Sequence, residues 1–267
     1  MSLIVRDRKL PGRKREPSEA GPRPPILEFQ DVNFRYVTKN RSIWIVRNQS
    51  FTIPRGTKLG ILGAAGTGKS TLMSLITGID RPSRGRVFRG GNMSWPVGSH
   101  KGLNMRLTPR ENSKFIARLY GVDEEEYLDQ VLEFSEMGRD FTRVLRSVRG
   151  KSRVQFAYAV CLLLDFDCYL VDDSFAPGND EFKEKCETLF RKRLETSDMI
   201  MATRDPKKIL ELCNRAAILD RGRLTFYDDV NEAIANFSPP GDLAADYPAI
   251  EDEERRDEEN ASDSEDI

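Results

Sequence analysis

Apolar and polar residues alternate from Ile26 to Tyr36, the period of a half-buried strand or of two strands with a break between them. A second β stretch, Trp44-Ile45-Val46, runs on through Phe51-Thr52-Ile53 to a turn at Pro54-Arg55-Gly56. Thr57 to Leu62 reads as a buried strand, and Ser70 to about Thr77 as a helix stopped by Gly78. After Pro82-Ser83-Arg84-Gly85, the segment Arg86-Val87-Phe88 predicts a short strand. From about Leu107 to Leu164 the spacing lengthens to that of helices. Thr108-Pro109-Arg110-Glu111 has the form of a capping box with proline at the first helical position. Phe115, Ile116, Leu119 and Tyr120 then share one face, and Gly121 ends the helix. Asp123 to Glu126 opens a second helix, and Phe156, Ala159, Val160 and Leu163 form the stripe of a third. Strands and helices alternate thereafter. Strands are expected at Cys168 to Val171, Met199 to Ala202 and Ala216 to Leu219, with helices from Asp180 to about Leu194 and on to Cys213. Such alternation predicts a doubly wound α/β sheet, and the helical block set into it predicts a subdomain.

The strand–helix junction at 62–70 carries the first chemistry. Gly63 to Ser70 reads G-A-A-G-T-G-K-S, a phosphate-binding loop pattern, with the strand before it and the helix after it that the pattern requires. Gly63, Gly66 and Gly68 open backbone conformations closed to other residues. The N–H groups of Gly63, Ala64, Ala65, Gly66, Thr67, Gly68 and on to Thr71 would turn towards a polyphosphate, helped by the helix N-terminus. Lys69 would reach the β- and γ-phosphates and Ser70 would ligate Mg²⁺. A glycine-rich turn without a ligand is the plain alternative, which the flanking elements weigh against. A second metal ligand is expected at the end of a buried strand, where Asp172 follows Tyr169-Leu170-Val171; an exposed strand-end acid is its alternative. Asp173 stands beside it as a candidate to polarise an attacking water.

Composition narrows the field. The chain has 267 residues, 32% charged and 39% hydrophobic, which suits a folded core with polar tails. No apolar run is long enough to cross a bilayer, and the N-terminus lacks the apolar core of a signal peptide. Cys161, Cys168, Cys186 and Cys213 have no C-x-x-C spacing and read as buried free thiols. With His100 as the one histidine, no site can use two. The net charge of −1 conceals an asymmetry: residues 1–25 carry seven Lys or Arg against three acids, and 241–267 carry twelve acids against two arginines. Three parts are expected: a disordered basic arm at 1–25, a domain at 26–237 with a helical subdomain at about 104–165, and a disordered acidic tail at 238–267.

Three segments resemble the ATP-binding subunits of ABC transporters, in particular those exporting capsular polysaccharide. They are Gly78-Ile79-Asp80-Arg81-Pro82, Ser94-Trp95-Pro96-Val97-Gly98 and the run from Arg110 to Gly121. The likeness extends from about Leu27 to Phe237 and implies a P-loop NTPase core of ABC type: a mainly parallel sheet, an N-terminal antiparallel β portion and an inserted helical subdomain. It implies ATP and Mg²⁺ as cofactors, Tyr36 stacked on adenine (a core-packed strand aromatic is the alternative), and Asn104 where the family has a glutamine that touches Mg²⁺. It also implies a dimer, with itself or a second ABC ATP-binding subunit. A multi-span membrane permease would dock in the groove between core and subdomain, at the cytoplasmic face of the inner (plasma) membrane. No nucleic acid is expected.

Departures from that family are concentrated where hydrolysis is organised. The signature serine falls at Arg149 and a glycine of close approach at Lys151. The water-activating glutamate is replaced by Asp173, the switch histidine by Arg204, and a loop aspartate falls at Asn179. Binding groups are kept and hydrolytic groups altered, so the resemblance implies an ATP-binding exporter subunit with impaired hydrolysis. The competing expectation is a degenerate ATP-binding regulatory or scaffold protein associated with polysaccharide export.

Overall fold

The computed structural model describes residues 23–37, 42–172 and 180–237. The expected basic arm, most of the acidic tail, Asp173 and Asn179 lie outside the described residues. The chain forms two compact units, and among the described residues one takes 91–199 with Arg23 and the other 24–90 with 200–237.

The second of these starts with β1 (Leu27–Val37) and β2 (Ser42–Ile53), antiparallel from the pair Leu27/Ile53 to Val37/Ser42. The break expected in the first strand is a bulge. Register shifts between Phe29 and Val32, where Asp31 takes a positive φ of 49° and its N–H donates to Ser50 Oγ at 2.9 Å. β3 (Lys58–Leu62) delivers the glycine-rich loop to α1 (Lys69–Thr77), and β4 (Arg84–Arg89) adds to β1 for a sheet of order β2-β1-β4. Gly78 caps α1 in the left-handed conformation. Arg89 supplies the positive charge that the last turn of α1 lacks: Nε donates to Ile76 O at 2.6 Å and Nη2 to Leu75 O at 2.7 Å.

The other unit runs from β5 (Met93–Pro96) through α2 (Pro109–Tyr120), α3 (Glu124–Ser135), α4 (Gly150–Leu162), β6 (Cys168–Asp172) and α5 (Asp180–Leu194). Two short 3-10 turns, Gly138–Thr142 and Leu145–Ser147, lead into α4. The capping box of α2 is formed in full, and Asp123 caps α3 by accepting from Glu126 N at 2.8 Å. α4 is not striped as expected: Gln155 to Leu162 are all buried, because helices of this unit surround it. Tyr127 of α3 donates its hydroxyl to Val160 O at 2.7 Å, and Arg193 of α5 donates Nε to Leu162 O at 2.9 Å and pairs with Asp165. Phe166 meets Trp95, Tyr120 and Tyr169 edge-on, at centroid distances of 5.4–5.7 Å. β5 pairs in parallel with β6, and Ser94 Oγ accepts from Leu170 N at 2.9 Å.

The chain passes from one unit to the other within β7 (Asp198–Thr203) and continues as α6 (Pro206–Leu212), β8 (Arg215–Asp220), β9 (Arg223–Tyr227) and α7 (Val230–Asn236). β3 and β8 are parallel and β8 and β9 antiparallel. Leu62, Ile209, Ala216, Val230 and Ala233 form one buried cluster. At Gly60, a Cβ would come within 2.6 Å of Ile209, so the glycine is what lets α6 settle on β3. The mixed, mostly parallel arrangement with an antiparallel N-terminal sheet matches the expected fold class. The four cysteines are free, three buried and Cys213 partly so. Burial pushes the Cys213 thiol up to about 12.

Candidate functional site: a phosphate loop and its companions

β3 is buried from Leu59 onwards and ends at Leu62, so it fixes where the loop begins. The loop then turns on glycines with positive φ: 79° at Gly66 and 91° at Gly68. A Cβ on Gly68 would also meet Ile45 at 2.8 Å, and one on Gly63 would meet Thr67 Oγ1 at 2.7 Å. Thr67 Oγ1 donates to Ala64 O at 3.0 Å, and Lys69 Nζ donates to Gly63 O at 2.9 Å and Ala64 O at 2.8 Å. Lys69 is only 7% exposed, so its ammonium is held inside the loop. Ser70 is exposed. α1 begins with no side-chain cap and no acid in its first turn, leaving backbone donors and positive potential for an anion. Gly63 through Thr71 are therefore brought together as one cradle.

Asp172 ends β6 in the other unit. Its Oδ1 is buried and has no hydrogen-bond partner among the described residues, which leaves it open to a cation. In the same unit Asn104 is exposed, and its Oδ1 accepts from Arg106 N at 3.0 Å. Sequence reasoning missed what holds it. Asn112, buried in α2, accepts from Asn104 N at 2.8 Å through Oδ1 and donates Nδ2 to Asn104 O at 3.1 Å and Thr108 O at 2.9 Å. The available signal was a poor helix former inside a strongly capped helix.

The remaining candidates sit as follows. Tyr36 pairs with Ile43 through the β1–β2 ladder, and its side chain lies outside the described residues. Arg204 is exposed, between the end of β7 and Asp205, the N-cap of α6. Arg149 is the N-cap residue of α4 without a side-chain cap bond, and Lys151 lies in its first turn; both are exposed. His100 contacts the backbone of Arg153, and burial followed by the Arg153 charge lowers its pKa from the ordinary 6.5. The loop amides and the Ser70 hydroxyl are donor types that suit a magnesium-bound polyphosphate, and in the other unit the orphaned Asp172 oxygen is a ligand type that suits a cation.

Comparison with known proteins agrees with this chemistry. A model of the ABC transporter family matches residues 46–176. The polysialic acid transport ATP-binding protein KpsT of Escherichia coli is 36% identical over 215 residues, covering 79% of this chain and 98% of that protein. The ATP-binding protein BexA of Haemophilus influenzae is 32% identical over 209 residues, 78% of this chain and 96% of that one. Among solved structures, a dimeric ATP-binding cassette in a post-hydrolysis state, bound to ADP and Pi, has a TM-score of 0.61 at 19% identity. That match covers 75% of this chain and 98% of the other, and it shows the fold alone.

Proposed function

The chain belongs to the ABC transporter family, among its polysaccharide-transport ATP-binding proteins, and on that premise we propose that it is the ATP-binding subunit of an exporter of capsular or related cell-surface polysaccharide. The observation that carries the reading is the preformed phosphate loop, within a likeness to KpsT that runs over nearly that protein's whole length. Lys69 and the loop amides bind the nucleotide phosphates, and Ser70 and Asp172 hold Mg²⁺, with Asn104 as a further ligand. Mg²⁺ held by these residues would supply positive charge to offset the negative charge of the phosphates. Tyr36 stacks on the base. The protein works as a dimer, with itself or a second ABC subunit, and is coupled to a separate multi-span permease at the cytoplasmic face of the inner membrane. Among the described residues no helix is long and apolar enough to cross a membrane.

Hydrolysis is slow in this reading. Asp173 is one methylene shorter than glutamate, Arg204 stands at the switch position, and Arg149 and Lys151 put side chains where close backbone approach is needed. These departures equally favour the second reading, an ATP-binding regulatory or scaffold subunit that has lost the motor. The deciding experiment measures Mg-ATP binding and ATP turnover on one purified sample, wild type beside Lys69→Ala. Binding lost in the variant with turnover at background supports a slow subunit; turnover well above the variant's makes the chain a working motor. No binding by the wild type would sink both readings. Co-purification with a multi-span membrane protein separates exporter from scaffold.

A further inference from the structure

The approach to α4 is the most basic part of the described chain. Residues 139–153 hold six cations and one acid, Asp140, which Arg143 takes at 3.1 Å. Leu145 N donates to Leu107 O at 2.9 Å and Arg146 N to Met105 O at 3.0 Å, which lays this segment beside Arg106 and the first turn of α2. Arg106, Arg110, Arg139, Arg146, Arg149 and Lys151 are all exposed, and none has an ion-pair partner among the described residues. Six such cations on adjoining segments repel one another and attract a polyanion. Such a polyanion is part of this chain: residues 241–267 carry twelve acids against two arginines, a net of −10, and seven of those acids fall between Glu251 and Glu259.

We propose that this basic face is the docking surface for the chain's own acidic segment, residues 241–267. Charge complementarity carries the assignment, and reach permits it. The fourteen residues from Phe237 to Glu251 span up to roughly 45 Å when extended. The consequence rests on the proposed function. There, the resemblance sets Arg149 and Lys151 opposite a neighbour's nucleotide, so a docked segment competes with that neighbour for the same cations.

Zero-length carbodiimide coupling of the full chain, read by mass spectrometry, tests the docking. Lys151 should couple to carboxylates of 251–259 at low salt, about tenfold less in 0.5 M salt, where the screening length falls to a few ångströms. The double variant Arg139→Glu, Arg146→Glu should lose about as much, with its circular dichroism spectrum unchanged. Coupling confined to Lys9 and Lys14 of the basic arm, or indifferent to the double variant, would overturn the proposal. So would absent coupling in a chain that sediments with phosphatidylglycerol vesicles through Arg139 and Arg146, since the face would then serve a membrane. ATP binding measured on the same sample reports separately. Its absence with intact coupling refutes the functional reading and leaves the docking standing.

Discussion

The phosphate loop and the start of α4 are both places where a helix begins without a side-chain cap, yet they are built on opposite terms. The loop satisfies itself. Thr67 and Lys69 are spent on loop carbonyls, and what remains to be offered is backbone, shaped by glycines that no other residue replaces. The start of α4 offers side chains, and its exposed cations Arg149 and Lys151 have no ion-pair partner among the described residues. A site made of backbone is tied to its ligand's shape, whereas a site made of long cations is tied only to charge. On the proposed reading, the first is the half that binds nucleotide and the second the half that departs from the family.

Lys69→Ala presses hardest on the backbone half. It should weaken ATP binding by about 100-fold, since a charge-assisted contact to phosphate is lost, and calorimetry would show it. A loss below threefold would mean that the amides alone carry the loop. Asn112→Ala tests whether the other unit depends on comparable backbone support. It should cost about 2 kcal/mol in urea unfolding, because it removes three bonds to the Asn104 and Thr108 backbone. On the proposed reading of Asp173 as the water-activating acid, Asp173→Glu adds one methylene of reach and should raise turnover about tenfold. No gain would place the block at Arg149 and Lys151 instead. The smallest effect belongs to His100. Its folded pKa is lowered, so its contribution to stability is complete above the ordinary 6.5 and is lost as pH falls through the depressed value. His100→Gln should flatten the stability profile between about pH 7 and pH 5; an unchanged slope would assign it to other groups.

Much of this architecture could be read beforehand where the local code is strong. The box at Thr108–Glu111, the stop at Gly78 and the buried run into Leu62 each name their own structure. β5, β9 and α7 went unread. Met93–Pro96 is four residues ending in proline, Arg223–Tyr227 mixes exposed and buried positions, and Val230–Asn236 is under two turns long. Their structure comes from neighbours, not from periodicity. The same holds at the site. Gly63 to Ser70 could be read because glycine spacing is itself the mechanism, whereas Asn112 acts on a residue eight positions away and leaves no pattern.

Arg89 gives α1 a mechanical role. The glycine-rich loop leads into one end of that helix; the other is clamped by a guanidinium gripping Leu75 and Ile76 from β4. A nine-residue helix held at its foot in this way is a strut. The glycine-rich loop and the three-stranded sheet are thus joined through a single helix, whose last turn is tied to β4 by side-chain hydrogen bonds.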